Sequence, residues 1–269
     1  MLSRLKSFLL VLLTLWPYTS FSSETLAGLN DSESQKAICG PDRREASKYA
    51  PIMRLRPTLE DQEISCTGFM ISKRCALTAG HCEKSTVIAE FNVPESDGRD
   101  FSAAPSRAED IYQVNQRSIE RLNHRTGADF AVLRLEKNPI TGLYPGEAQG
   151  YLEIDYITPN KGDLIKIVGY GASYASRERF LTQKFDTGEV VSTFYRRAYP
   201  FIRNLSSISY RAGSTGGDSG APIIDKNSGR AIGIHNAGSC IRRTERNSGT
   251  LFDRQTRLTR AIERCLNEE

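Results

Sequence analysis

The sequence predicts an all-β domain of two halves, closed by a C-terminal α-helix. Three observations carry that reading: short apolar stretches separated by turn residues, a single helical stripe at the end, and a length of 269 residues, enough for one large core or two small ones.

From Ile52 onward the stretches are Thr67 to Ser72, Ala76 to Ala79, Val87 to Phe91, Phe130 to Leu135, Leu164 to Gly169, Val190 to Tyr195, Ala221 to Ile224 and Ala231 to Ile234. Short strands at this spacing belong to a barrel or a sandwich. Leu258, Ala261, Ile262, Cys265 and Leu266 instead recur at i, i+3, i+4, i+7 and i+8, the stripe of an amphipathic helix. No internal repeat or low-complexity tract interrupts the chain. The expected domain covers residues 37–269, with halves at about 37–150 and 151–252 and a terminal helix at about 253–267.

Ahead of it, Arg4 and Lys6 precede the apolar run Phe8 to Trp16, followed by Pro17 and the small residues Thr19, Ser20, Ser22 and Ser23. That is the pattern of a signal peptide over residues 1–23, since the run falls short of the roughly 20 residues a bilayer-spanning helix needs. Residues 24–36 are polar and aperiodic, as in a short pro-segment. The mature protein is expected to be exported, extracellular or periplasmic, and free of the membrane.

The 36 basic and 32 acidic side chains are scattered, without the basic run a nucleic-acid groove requires. A hydrophobic fraction of 39% and a charged fraction of 25% suit a globular fold rather than disorder. In an oxidising compartment the six cysteines, Cys39, Cys66, Cys75, Cys82, Cys240 and Cys265, read as disulfides. No cysteine pair has Cys-x-x-Cys spacing and the three histidines, His81, His124 and His235, lie far apart, so neither a metal nor another cofactor is expected.

Three segments carry chemistry. Leu77-Thr78-Ala79-Gly80-His81-Cys82 delivers a histidine, the side chain best able to take and return a proton near neutrality, at the end of a strand. Gly216-Gly217-Asp218-Ser219-Gly220 flanks a serine with glycines, permitting a tight turn whose N–H groups converge as an oxyanion hole does. Asp129 opens the apolar strand Phe130 to Leu135. Each alone has an ordinary structural explanation. Their joint order, His, Asp, Ser at separations of 48 and 90 residues in an exported chain, points to nucleophilic catalysis.

These blocks resemble those of the chymotrypsin-like serine peptidases, whose marks are Thr-Ala-(Ala/Gly)-His-Cys, Asp-(hydrophobic)-Ala-(hydrophobic)-Leu and Gly-Asp-Ser-Gly, over roughly residues 37 to 267. The resemblance implies two six-stranded antiparallel β-barrels with the active site between them. It makes Ser219 the nucleophile, His81 the general base and then acid, Asp129 its orienting acceptor, and the Gly217 and Ser219 N–H groups the oxyanion hole. It implies a Cys66–Cys82 disulfide. In this fold the terminal helix can pack near the strand of Cys75, which suggests Cys75–Cys265 and leaves Cys39 with Cys240.

Counting back from Ser219, the floor of the primary pocket falls at Gly213, where trypsin-like enzymes place an aspartate. Ser214 follows, Thr215 replaces a disulfide cysteine, and His235 stands in the pocket wall. A histidine wall with a hydroxyl at the base resembles the glutamyl endopeptidases and certain viral relatives that accept glutamine, and the block Ala37 to Arg43 looks like the N-terminal block of bacterial members. Cleavage of proteins or peptides after Glu, then Gln or Asp, is the expectation, because His235 and Ser214 offer donors to a carboxylate or carboxamide. The resemblance also implies zymogen activation, with Asp218 pairing a freed N-terminal amine. Lys36 offers the processing site for an activating protease and a mature N-terminus near Ala37 is expected.

Two rivals remain: a non-catalytic homologue that binds proteins through the same cleft, which the intact Ser219, His81 and Asp129 disfavour, and an exported esterase. The chain order His, Asp, Ser and the lack of a Gly-x-Ser-x-Gly elbow disfavour the esterase.

Overall fold

The computed structural model describes residues 38, 41–61, 65–196, 205–238, 240–241, 244–253 and 256–268. The signal peptide, the pro-segment, the mature N-terminus near Ala37 and the Cys39–Cys240 pairing lie outside the described residues.

Two antiparallel sheets of seven strands dominate the chain. The first runs β2 (Ile52–Arg56), β3 (Cys66–Met70), β4 (Cys75–Thr78), β5 (Ile88–Glu90), β6 (Ile111–Gln113), β7 (Glu120–Asn123) and β8 (Asp129–Arg134), in the order β6-β5-β2-β3-β4-β8-β7. Its edges meet only at the bridge Val114–Leu135, so this barrel is half closed, with β7 as an added strand on β8.

The second takes in β1 (Glu45–Ala46), β9 (Leu164–Gly169), β10 (Lys184–Arg196), β11 (Leu205–Arg211), β12 (Pro222–Asp225), β13 (Ala231–Ala237) and β16 (Asn247–Leu251). The order β1-β10-β11-β16-β13-β12-β9, with β10 also pairing β9, closes a six-stranded ring to which β1 is appended. A small hairpin of β14 (Cys240–Ile241) and β15 (Thr244–Glu245) stands apart. Both halves thus have the expected barrel character, each with one strand more than the six expected.

Between the halves stands the short helix α1 (Pro145–Gln149), and the chain ends in α2 (Arg257–Asn267). Thr256 caps α2 by accepting from the Thr259 N–H, and Leu258, Ala261, Ile262 and Cys265 are buried. Leu266, the last residue of the expected stripe, is instead 38% exposed because the stripe has rotated off the core by then. A disulfide joins Cys265 to Cys75 of β4, and another joins Cys66 to Cys82.

The first barrel buries charge that the sequence reading did not foresee. Arg54 and Arg56 of β2 are 0% and 1% exposed, and Glu90, opposite Arg54 in the β2–β5 ladder, is 0% exposed. One Glu90 oxygen lies 2.8 Å from the Arg54 guanidinium and 3.4 Å from that of Arg56, while the other accepts from the Ser106 N–H. Buried guanidinium groups need acceptors on every side, and the Ala104 and Leu181 carbonyls supply two more for Arg54.

Candidate active site

β4 ends at Thr78 and the chain turns at once into a 3-10 turn, Gly80–Ser85, carrying His81. Gly80 permits this close turn: a Cβ there would lie 2.1 Å from the Leu122 carbonyl oxygen. Asp129, at the start of the neighbouring β8, is 7% exposed and receives His81 twice, from the backbone N–H to Oδ1 at 3.0 Å and from Nδ1 to Oδ2 at 2.7 Å. The carboxylate therefore fixes both the imidazole and its tautomer, with Nδ1–H donating to Asp129 and Nε2 left to accept.

Two residues absent from the sequence reading hold Asp129 in turn. The Asn236 amide donates to its carbonyl at 2.8 Å, and the Thr250 hydroxyl shares its one proton between that carbonyl, at 3.1 Å, and Asn236 Oδ1, at 2.8 Å. Both belong to the second barrel, so they clamp the strand of Asp129 across the cleft.

Ser219 lies in the turn between Thr215 and β12. Gly217 and Gly220 have φ of +101° and +88°, a region that favours glycine. The turn is stitched to the first barrel by the Thr67 N–H donating to the Ser219 carbonyl at 2.8 Å and by the Thr67 hydroxyl donating to the Gly217 carbonyl at 2.8 Å. Among the described residues the Gly217 and Ser219 N–H groups have no protein acceptor. No hydrogen bond joins Ser219 Oγ to His81 Nε2 among them either, a contact that commonly tightens only when substrate is bound.

The residues expected to line the primary pocket adjoin this turn. His235 of β13 is tied to it through backbone bonds, its N–H donating to the Ala221 carbonyl and its carbonyl accepting from the Gly220 N–H, both at 2.8 Å. The ring is 2% exposed, and burial pushes its pKa down to about 4, so it is neutral at pH 7. Burial likewise raises the Tyr210 phenol well above its ordinary range, and its hydroxyl lies 2.5 Å from His235 Nδ1. A protonated phenol with this one acceptor donates to Nδ1, leaving Nε2–H as the donor His235 can offer a ligand.

Ser214 Oγ is buried and unpartnered among the described residues. Gly213 has no side chain, and its N–H donates to Asp186 Oδ2 at 2.6 Å.

Asp218, the residue expected to pair with a freed N-terminal amine, has an internal partner. Its carboxylate is already occupied by an internal cation: Arg44 Nη1 lies 2.9 Å from Oδ2. Asp218 also accepts from the Gly171 and Thr215 N–H groups, at 2.7 and 2.9 Å.

A family model described as Trypsin matches residues 46–262. The chain belongs to the trypsin family of serine endopeptidases. This trypsin-family chain is 27% identical over 179 residues to trypsin iota of Drosophila melanogaster, covering 63% of the chain and 66% of that relative. It is 26% identical over 241 residues to a glutamyl endopeptidase of Bacillus licheniformis, covering 85% and 67%. Each match thus spans about two thirds of the relative's length.

Among solved structures, a Glu endopeptidase in complex with MPD superposes with a TM-score of 0.58 at 22% identity, over 84% of this chain and 97% of that one. The Anisep protease of Arthrobacter nicotinovorans gives 0.57 at 16%, over 81% and 96%. The fold is that of chymotrypsin, and in sequence and fold the chain is glutamyl endopeptidase-like.

Proposed function

We propose that this trypsin-family chain is an exported serine endopeptidase that cleaves proteins or peptides after Glu, and less readily after Gln or Asp. Ser219 Oγ attacks the scissile carbonyl while His81 Nε2 takes its proton; the Gly217 and Ser219 N–H groups receive the oxyanion. His81 then returns the proton to the leaving amine, and water releases the acyl group by the same steps in reverse role. Asp129 keeps its charge throughout and stabilises the imidazolium. The observation that carries this reading is His81 held at 2.7 Å by Asp129, together with a Ser219 turn whose Gly217 and Ser219 N–H groups have no acceptor among the described residues.

The Glu preference rests on His235 Nε2–H and the unpartnered Ser214 hydroxyl, since a buried hydroxyl without a partner is costly and a bound carboxylate would relieve that cost. The two disulfides suit export.

The unmade Ser219–His81 hydrogen bond favours one other reading, a non-catalytic binding homologue. Ser219→Ala should abolish both peptidase activity and labelling by a serine-directed phosphonate, with triad loss costing on the order of a million-fold in kcat. Wild-type protein trimmed to Ala37 that neither hydrolyses nor labels overturns the peptidase reading in favour of the binding homologue. His235→Ala should lower kcat/KM for a Glu substrate by about ten- to a hundred-fold. A peptide library cleaved fastest after Lys or Arg would reassign the pocket to Asp186, the carboxylate behind Gly213.

A further inference from the structure

The chemistry above needs an oxyanion turn held open, and the fold resemblance assigns that task to an N-terminal amine released by proteolysis. The surroundings of Asp218 point elsewhere. Arg44 has a side chain only 2% exposed, and all five of its N–H bonds find acceptors. Nε donates to Asp42 Oδ1 at 2.9 Å; Nη1 donates to Thr215 Oγ1 at 2.7 Å and Asp218 Oδ2 at 2.9 Å; Nη2 donates to Asp42 Oδ2 at 2.7 Å and the Ala172 carbonyl at 2.6 Å. A guanidinium satisfied in this way is a rigid fork rather than a loose counterion.

The fork grips the oxyanion turn at both ends. Thr215 and Asp218 bound the segment containing Gly217, and they are bonded to each other through Asp218 N–H to the Thr215 carbonyl (3.1 Å) and Thr215 N–H to Asp218 Oδ2 (2.9 Å). Thr215, at the position of a family cysteine, thereby does with a hydroxyl what a disulfide would do by covalent bonding, and its hydroxyl donates onward to the Ala172 carbonyl at 2.7 Å.

A Cβ on Gly171 would lie 2.2 Å from Asp218 Oδ2, and one on Gly169 would lie 2.4 Å from Oδ1, so the carboxylate is packed against bare backbone. Arg44 is itself anchored without any residue before 42. Asp42 accepts from the Arg44 N–H and the Ser173 hydroxyl, and the next residues, Glu45 and Ala46, pair with Phe185 and Lys184 of β10.

We propose that Arg44 is the positioning residue of the oxyanion turn, an internal substitute for the N-terminal ammonium, so that removal of residues 24–36 is not what switches the enzyme on. The inference rests on the reading of Ser219 as nucleophile. The protein is released by loss of its leader already carrying an ordered oxyanion hole.

The test compares the protein beginning at Glu24 with the protein trimmed to Ala37, and each with Arg44→Ala and Arg44→Lys. With Arg44 present, both forms should hydrolyse a peptide substrate with the same kcat and label equally with a serine-directed phosphonate. Arg44→Ala should lose ~10²–10³ in kcat, the loss that follows removal of an oxyanion donor, with a smaller change in KM. Millimolar guanidinium ion should restore part of it, and Arg44→Lys should retain more than Arg44→Ala, responses a purely structural residue does not give. The inference is overturned by an unchanged kcat in Arg44→Ala, or by a Glu24 form that is inactive until trimmed; the latter leaves the peptidase reading intact. Wild type inactive in both forms overturns both. If Arg44→Ala does not fold, the comparison of the two wild-type forms still decides.

Discussion

The Tyr210 hydroxyl donates to His235 Nδ1 across 2.5 Å of fully buried space, and this single contact sets the tautomer of the imidazole, with its proton on Nε2. Removing the hydroxyl leaves Nδ1 without a partner and lets the proton sit on either nitrogen, so Nε2–H is no longer assured. Tyr210→Phe should therefore lower kcat/KM for Glu substrates about ten-fold, the value of a hydrogen bond near 1 kcal/mol. Substrates with a small apolar residue before the scissile bond should change much less. Equal losses on both substrate types would show that Tyr210 supports the barrel and not the pocket.

The same neutral histidine predicts a pH signature. Free His235 has a pKa of about 4, so above that pH it must gain a proton to form an ion pair with a bound Glu carboxylate. Glu binding that draws on this pair is linked to proton uptake and weakens as pH rises, whereas Gln, which is uncharged, needs only the neutral Nε2–H donor. The ratio of kcat/KM for Glu over Gln should fall steadily from pH 5 to pH 8; His81 acts on both substrates and cancels. A ratio flat over this range would mean that His235 recognises Glu without protonation.

Cys75–Cys265 closes a loop of sequence separation 190, tying α2 to β4. The paired replacement Cys75→Ala with Cys265→Ala should lower unfolding free energy by about 2–5 kcal/mol. The active site, on the far ends of β4 and β8, should keep its kcat at temperatures where the variant stays folded. Thermal unfolding followed by circular dichroism, alongside initial rates at 25 °C, separates the two effects. A drop in kcat equal to the fraction unfolded is the only rate loss this account allows.

What the sequence made legible was what it stores locally. His81, Asp129 and Ser219 each sit inside a contiguous block whose neighbours are themselves required by the turn, as Gly80 and Gly217 are, so the pattern survives without the fold. Arg44 could not be found this way, because its partner Asp218 is 174 residues away and an arginine near a chain start looks like any solvated charge. The same holds for Asn236 and Thr250, which reach Asp129 only once the two barrels have closed. β11 and β16, with sequences LSSISYR and NSGTL, escaped detection because serine, asparagine and glycine fill positions that an apolar pattern search passes over. The buried pair Arg54 and Arg56 was equally illegible: both alternate with apolar residues in β2, and only the β2–β5 pairing brings Glu90 alongside to hold them inside the barrel.

Lys184 offers the most direct check of the electrostatics around Asp218 and Arg44. It is 4% exposed, beside the charged group of Arg44, Asp218, Asp42 and Arg179, and its Nζ donates to the Arg179 and Thr182 carbonyls, at 2.9 and 2.8 Å. Burial, helped by Arg44, brings its pKa down to about 7 from an ordinary 10.5. Below pH 7 both folded and unfolded states are protonated, and the fold bears the full cost of the buried charge. Between 7 and 10.5 the unfolded chain binds the proton and the folded one does not, so the cost declines as pH rises; above 10.5 neither state is charged. Lys184→Met removes the titration and also the two hydrogen bonds, a loss that does not vary with pH once the amine is neutral. The stability of Lys184→Met relative to wild type should therefore fall as pH is raised from 7.5 to 10, approaching 1.4 kcal/mol per pH unit in that window. Urea unfolding at four pH values measures this slope independently of any constant offset. Parallel stability curves would mean that Lys184 stays protonated in the fold, held by Asp218 and Asp42 against the pull of burial.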